Sequence, residues 1–156
     1  MDKDVMFSTG KDDWETPEDF FRPLDREFGF TLDACANPQN AKCKRYYTED
    51  DDGLKQDWAG ETVWCNPPYS KGKQDAWVKK CWEEGQKPNT TVVMLIPART
   101  DTDRFHQYIF GKAEIRFMPK RIRFLENGKP RLDKKGRPMP APFPSAVVIF
   151  KKRKGV

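Results

Sequence analysis

The sequence lacks any long hydrophobic run, and no apolar stretch, such as Val92 to Ile96, exceeds five residues. A helix that crosses a bilayer needs about 20 apolar residues, so we predict no membrane-spanning segment. The first ten residues, MDKDVMFSTG, carry charges of both signs and lack the apolar stretch of a signal peptide. We therefore expect the protein to stay in the cytoplasm of the cell that makes it.

Histidine and paired cysteines are also scarce. The chain has one histidine, His106, and its four cysteines contain no CxxC pair. Zinc ligands usually stand at short, repeated spacings, so we expect no metal centre. In a reducing compartment we expect free thiols rather than disulfides at Cys35, Cys43, Cys65 and Cys81.

The composition favours one folded domain over residues 1–156. The apolar fraction is 37%, which is enough for a single core in a chain of this length. An aromatic content of 13% argues against disorder. A charged fraction of 34% and a mean hydropathy of −0.90 indicate a heavily hydrated surface.

Charge is unevenly distributed along the chain. Residues 1–60 contain 15 acidic and 8 basic residues, a net of −7, whereas the whole chain carries +5. The densest basic stretch is residues 118–144, called here the basic segment, which has eight basic residues, two acidic residues and six prolines. A chain that is acidic in one half and basic in the other suits a protein that meets a polyanion on one face. The alternative interpretation of the basic segment is a solvated loop that binds no partner.

Hydrophobic periodicity predicts alternating helices and strands after residue 61. This order is typical of a parallel sheet with covering helices, so we predict a doubly wound α/β fold that is mostly parallel with an antiparallel last strand. The predicted helices are Pro17 to Phe28 (with Thr16 as the cap), Lys73 to Glu84 and Asp101 to Phe110. The predicted strands are Phe30 to Ala36, Arg45 to Thr48 (the weakest), Thr62 to Cys65, Thr90 to Ile96, Ala113 to Met118 and Ser145 to Phe150.

The loop Asn66-Pro67-Pro68-Tyr69 follows the predicted central strand. Ligands of open α/β sheets bind at the carboxyl ends of strands, so this is a candidate catalytic loop. An exocyclic amine such as adenine N6 is a poor nucleophile because its lone pair is delocalised into the ring. Two acceptors that take its hydrogens, the Asn66 side-chain oxygen and the Pro67 carbonyl, would favour a reactive tetrahedral geometry. The prolines would hold both acceptors rigidly.

Such chemistry requires the base to leave the double helix. Tyr69 could then stack on the base, a contact worth about 1–3 kcal/mol. Arg99, in the loop after the next predicted strand, could contact a phosphate or the orphaned base, or form an internal salt bridge. Lys and Arg side chains of the basic segment could bind phosphates and read guanine edges. They are Lys120, Arg121, Arg123, Lys129, Arg131, Lys134, Lys135 and Arg137.

Six segments in this order resemble the phage-type, Dam-like DNA N6-adenine methyltransferases, over about Phe7 to Phe150. They are WETPEDFF, LDACA, YYTEDDDGLKQDW, VWCNPPYS, VMLIPARTDTDRFH and APFPSAVVIF. The resemblance implies a class I, Rossmann-like methyltransferase fold, S-adenosylmethionine as the methyl donor and double-stranded DNA as the substrate. Asn66, Pro67, Pro68 and Tyr69 match the family's catalytic motif. Protection of phage DNA from host restriction is a role implied by the family alone.

The resemblance also implies a donor site. Asp33 matches the acid that ends the first strand, Thr16 and Pro17 match a motif that contacts the donor's methionine end, and Asp57 matches an acid that binds the donor's adenine amine. One acid from Glu49 to Asp52 would accept the ribose hydroxyls. The glycine-rich turn usual in class I enzymes is replaced by Ala34-Cys35-Ala36, whose small residues would still allow close approach of the donor.

Two other interpretations fit the same residues. The catalytic loop could act on RNA adenine, cytosine N4 or a protein glutamine amide, since each presents a planar amine. Alternatively, the missing glycine-rich turn could mark a non-catalytic DNA-binding module on a degenerate methyltransferase scaffold.

Overall fold

The computed structural model describes residues 14–152. It contains a sheet of five strands in the order β1-β2-β3-β7-β4, together with a separate hairpin of β5 and β6. The helices are α1 (Glu18–Phe28) and α2 (Lys71–Gly85). The strands are β1 (Leu32–Asp33), β2 (Thr62–Cys65), β3 (Thr91–Pro97), β4 (Glu114–Phe117), β5 (Leu125–Glu126), β6 (Lys129–Pro130) and β7 (Ser145–Lys151).

The sheet is mixed. β1 pairs parallel with β2 and β2 with β3, whereas β7 lies antiparallel between β3 and β4. The antiparallel last strand is therefore confirmed, but only two of the four pairings are parallel. The carboxyl ends of β1, β2, β3 and β4 share one edge with the start of β7, because Pro97 pairs with Ser145 and Phe117 with Ala146.

Alternation along the strands divides the core between the two faces of the sheet. Val92, Met94 and Ile96 of β3 belong to a cluster that includes Trp77 and Val78 of α2. Val93 and Leu95 belong to a second cluster, which includes Phe21 of α1 and four side chains of the basic segment: Ile122, Phe124, Ala141 and Phe143. The basic segment is thus anchored to the core on the same face as α1.

Several predicted elements are shorter than expected. The first strand is Leu32–Asp33 rather than Phe30 to Ala36, because the Asp33 side chain accepts from the backbone of Cys35 and bends the chain. The segment Arg45 to Thr48 forms only an isolated bridge, between Tyr46 and Asp33. Pro17, not Thr16, is the N-cap of α1. The helix ends at Phe28, as predicted, and Gly29 is its C-cap with φ of 69°.

The helix predicted for Asp101 to Phe110 is present but shorter. Residues 103–109 are helical, and Phe105–Ile109 forms a π-helix. The Thr102 hydroxyl donates to the Arg99 carbonyl, a local bond that competes with the regular helical ladder.

Candidate active site

The catalytic-loop residues lie directly after β2, at the edge where the parallel strands end. Pro67 is buried, and Asn66, Pro68 and Tyr69 are half-buried. α2 begins at Lys71, after an N-cap at Ser70, so the loop is held between a buried strand and a helix. This placement gives the loop little freedom to move.

The Asn66 side chain is held at both ends. Its Nδ2 donates to the Trp14 carbonyl at 2.5 Å and to the Thr16 hydroxyl at 3.0 Å. Its Oδ1 lies 2.6 Å from the Tyr69 hydroxyl, which donates to it. An amide oxygen has two lone pairs. The network therefore fixes which end of the amide is oxygen and leaves one lone pair of Oδ1 for a further donor.

The hydroxyl of Tyr69 connects the loop to β3 by hydrogen bonding. Besides Asn66 Oδ1, the hydroxyl lies 3.0 Å from the Leu95 carbonyl oxygen, so its single proton faces two acceptors. Burial raises the pKa of Tyr69 well above its usual value. The hydroxyl consequently stays protonated and can donate at any physiological pH.

An aromatic cluster covers this loop, formed by Trp14, Tyr69, Phe124 and Phe143. Trp14 and Tyr69 are nearly parallel, with an interplanar angle of 13° and centroids 6.4 Å apart. The Arg131 guanidinium lies 3.9 Å from the centre of the Trp14 ring. Sequence reasoning did not find this cluster, because its members lie far apart along the chain.

Glu15 joins three parts of the site. Its backbone forms two hydrogen bonds with Leu125, of 3.1 and 2.8 Å. One carboxylate oxygen accepts from the backbone of Gly128 at 2.8 Å, and the other lies 3.4 Å from the Asn40 amide nitrogen. The β5–β6 hairpin, the catalytic loop and the loop after β1 therefore share residues 14–16 as a common support.

Asp33 organises the loop after β1. Its two carboxylate oxygens accept from the backbone of Cys35 at 3.2 Å and of Lys42 at 2.9 Å. Asp33 is 2% exposed, and burial raises its pKa to about 6. The carboxylate thus fixes the shape of the predicted donor loop from within.

The acidic turn of residues 49–52 lies beside this loop. Ala36 donates to the Tyr47 carbonyl at 3.0 Å, and Ala34 is fully buried. A Cβ atom at Gly53 would approach the Ala34 carbonyl oxygen to 2.2 Å, so only glycine permits this contact. Small residues on one side and several carboxylates on the other suit a nucleoside with two ribose hydroxyls.

The other predicted donor residues are distributed differently. Thr16 accepts from the Asn66 side chain, and Pro17 accepts from the backbone of Phe20 and Phe21 at the start of α1. Asp57 is not brought together with them. It forms an ion pair with Lys87 at 2.8 Å, beyond the end of α2, where hydrogen bonding lowers the pKa of its carboxyl.

The basic segment starts and ends at the same edge of the sheet as the catalytic loop, since Met118 donates to the Ser145 carbonyl. Its exposure alternates over residues 121–124: Arg121 and Arg123 are exposed, and Ile122 and Phe124 are buried. The buried residues anchor the chain while the arginines face solvent. Together with α1, the segment lines a groove of about 630 Å³.

Two of its arginines are paired with its two acids. Arg131 lies 3.4 Å from Glu126, and Arg137 lies 2.9 Å from Asp133. The other six cations make no ion pair with any residue between 14 and 152, namely Lys120, Arg121, Arg123, Lys129, Lys134 and Lys135.

A second cavity, of about 260 Å³, opens beside the catalytic loop and is here called the loop cavity. The aromatic rings of Trp14, Tyr69 and Phe143 line it together with Gln74 and Arg99. Arg99 is exposed, and its guanidinium lies 5.8 Å from the centre of the Phe143 ring. The cavity thus combines stacking surfaces with polar and cationic groups.

The four cysteines are free thiols, as predicted. Within residues 14–152, no cluster of three or more His, Cys, Asp or Glu side chains could hold a metal ion. The same part of the chain contains no helix long and apolar enough to cross a membrane.

Comparison with known proteins gives a consistent result. The family profile described as DNA N-6-adenine-methyltransferase (Dam) matches residues 5–154. A DNA N-6-adenine-methyltransferase of Escherichia phage T1 is 36% identical over 107 residues, which are 67% of this chain and 44% of that protein. A protein of the same description from Haemophilus phage HP1 is 33% identical over 130 residues, 81% of this chain and 74% of the relative.

The chain thus spans less than half the length of the first relative and about three quarters of the second. The profile, in contrast, covers nearly all of the sequence and includes the catalytic loop. The resemblance noted from the six segments is thereby confirmed. The chain belongs to the DNA N-6-adenine-methyltransferase (Dam) family.

Proposed function

We propose that this chain is an adenine-specific DNA methyltransferase, which transfers a methyl group from S-adenosylmethionine to N6 of a flipped adenine. The observation that carries the proposal is the orientation of the Asn66 amide. Both of its ends are hydrogen-bonded, and Oδ1 keeps one lone pair for a donor. An exocyclic amine is a donor of the required kind.

The chain's own residues would act on the acceptor nitrogen. Asn66 Oδ1 and the Pro67 carbonyl would each accept one N6 hydrogen and draw the amine towards tetrahedral geometry. A rigid loop makes this effective, because preorganised dipoles need no rearrangement during the reaction. When bound, S-adenosylmethionine supplies an electrophilic methyl group, and its transfer to N6 leaves S-adenosylhomocysteine and one released proton.

The residues around the end of β1 fit this donor. Ala34 and Cys35 would lie against it in place of a glycine-rich turn, and an acid in the turn that starts at Glu49 would accept the ribose hydroxyls. Asp33, already bonded to two backbone amides, would act by shaping the loop. Thr16 and Pro17 would lie at the methionine end, and a donor contact by Asp57 stays a prediction.

The basic segment would supply the DNA interface. Its six cations that form no ion pair within residues 14–152 are exposed, and the segment starts and ends at the sheet edge that carries the catalytic loop. Arg131 and Arg137 would attract phosphate less strongly, because Glu126 and Asp133 neutralise part of their charge. Arg99, at the mouth of the loop cavity, would contact the backbone of the flipped nucleotide. Stacking on Trp14, Tyr69 and Phe143 would offset part of the cost of unstacking the base.

The arrangement of helices on both faces of a mixed sheet supports the finer assignment to a class I, Rossmann-like, doubly wound fold. We place it in one domain of residues 1–156 with the basic segment as its recognition insert. Location in the cytoplasm stays a prediction.

The direct test is transfer from labelled S-adenosylmethionine to adenine-unmethylated duplex DNA, followed by nucleoside mass spectrometry. We expect N6-methyladenine from the wild-type chain and none from Asn66→Ala, which should still bind the donor in calorimetry. Gln86→Ala removes an exposed amide beyond α2 and is the matched control, with wild-type activity expected. N4-methylcytosine as the product, or full activity of Asn66→Ala, would refute the proposal.

A further inference from the structure

One buried side chain beside the catalytic loop has unused hydrogen-bonding capacity. Gln74 is 1% exposed, yet neither Nε2 nor Oε1 of its amide has a hydrogen-bond partner among residues 14–152. A buried amide without partners destabilises a fold, and most native proteins avoid it. Such an exception is expected where a ligand completes the bonding.

The position of Gln74 connects it to the proposed reaction. Gln74 lies in the first turn of α2, where its backbone N–H donates to the Ser70 carbonyl at 2.9 Å. It lines the loop cavity together with Tyr69 and the rings of Trp14 and Phe143. A planar ligand that stacks on these rings would present its polar edge close to the Gln74 amide.

We infer that Gln74 is a specificity-determining residue that binds the polar edge of the flipped adenine. This inference rests on the proposed function. The two N6 hydrogens are assigned to Asn66 and Pro67, so the contact left for Gln74 is a ring nitrogen. Its Nε2–H donates to the unprotonated ring nitrogen beside the amine. Guanine carries an oxygen at C6, which would face the acceptor oxygens of Asn66 and Pro67, and a hydrogen at N1, which in this pose would face the Gln74 Nε2–H.

The role of Gln74 in binding makes a prediction that a structural role does not. Gln74→Met has a similar length and helix propensity but lacks both polar atoms, and Gln74→Leu is a second, shorter apolar variant. Removing an unpaired buried amide should raise Tm by about 2 °C or more. The same change should lower kcat/KM for methyl transfer by about tenfold or more, because the base loses a buried hydrogen bond.

The experiment measures Tm, kcat/KM and duplex affinity for wild type and both variants, with adenine-unmethylated DNA as the probe. Affinity for duplex DNA should change by less than about twofold, since phosphate contacts dominate it. Val78→Ala, one turn further along the buried face of α2, is the matched control. We expect it to lower Tm and to leave kcat/KM near the wild-type value.

Three outcomes would overturn the inference. A lower Tm in both apolar variants with unchanged kcat/KM would show that Gln74 supports the fold through partners of its own. Unchanged kcat/KM with a raised Tm would show that the amide does not contact the base. Absence of N6-methyladenine from the wild-type chain would instead refute the proposed function, and with it this assignment.

Discussion

Thr16 offers the sharpest test of how Asn66, the proposed catalytic asparagine, is held. It is 3% exposed, and its hydroxyl accepts from Asn66 Nδ2 at 3.0 Å. Thr16→Val replaces the hydroxyl with a methyl group of nearly the same shape. The substitution leaves Nδ2 with the Trp14 carbonyl as its single acceptor. The expected defect is therefore a loss of orientation at an otherwise intact site.

The magnitude follows from one broken bond. Leaving a partly buried N–H unpaired costs about 1–2 kcal/mol, which corresponds to a fall in Tm of about 2–8 °C for a chain of this size. An Asn66 amide held by fewer bonds spends part of its time with Nδ2 facing the substrate amine, where it repels the N6 hydrogens. We expect kcat to fall by about tenfold while KM for DNA changes little.

The assay combines steady-state methyl transfer with calorimetric titration of S-adenosylmethionine. Thr16→Ser keeps the hydroxyl and should restore kcat to within about twofold of wild type. A wild-type kcat in Thr16→Val would refute the reasoning. A loss of donor affinity with unchanged kcat would instead support the role in donor binding that the sequence resemblance implies.

Three further predictions concern other parts of the site. The free energy of unfolding should fall as pH rises from about 4 to 6. Buried Asp33 has a pKa of about 6, whereas an aspartate in the unfolded chain loses its proton near pH 4. The folded chain therefore binds more protons in that window, and raising the pH favours unfolding. Urea unfolding of Asp33→Asn should lack this component; an unchanged pH profile would argue against it. Gly53→Ala should weaken donor binding and destabilise the chain by about 2 kcal/mol, because its Cβ would meet the Ala34 carbonyl. By contrast, Gly72 lies in a helix with open space around it, so Gly72→Ala should raise the free energy of unfolding by about 0.5–1 kcal/mol. Equal Tm values for the two variants would contradict this account. Alanine at both Lys134 and Lys135 should lower the slope of log affinity against log salt by about 2, and an unchanged slope would mean that DNA binds elsewhere.

The catalytic loop could be predicted from sequence because its information is local. A strand of β-branched and aromatic residues, two prolines and a following helix all lie within residues 62–85, and the structure places the strand and the helix as expected. The boundaries of α1 and β7 were also close, since Gly29 and the apolar run that starts at Ser145 are strong signals.

The supports of the loop could not be predicted, because they come from distant residues. Nothing near Asn66 in the sequence indicates that its amide donates to residues 50 and 52 positions earlier. Thr16 has the pattern of a helix cap, yet its hydroxyl is used in a tertiary contact. Trp14 lies outside the predicted helices and strands, so hydrophobic periodicity assigns it no role. Gln74 gave no sequence signal, since a glutamine on a helix is usually exposed.

For the basic segment, composition led to a proposed role in DNA binding but did not predict that part of the segment packs against the core. Its charge and prolines resemble those of a solvated loop, whereas Ile122, Phe124 and Phe143 are buried against the sheet. The signal that was available is the alternation of arginine with apolar residues over residues 121–124, which is the period of an extended chain packed on one side.

Residues 14–16 connect the segment proposed to bind DNA with the loop proposed to act on the base. Glu15 is bonded through its backbone to Leu125 and through its carboxylate to Gly128 of the hairpin turn. Its neighbours on either side, Trp14 and Thr16, supply both acceptors of the Asn66 amide. A displacement of the hairpin would therefore move the backbone that orients the Asn66 oxygen. The segment proposed to contact DNA and the amide proposed to activate the base are thus hydrogen-bonded to adjacent residues of one short stretch of chain, residues 14–16.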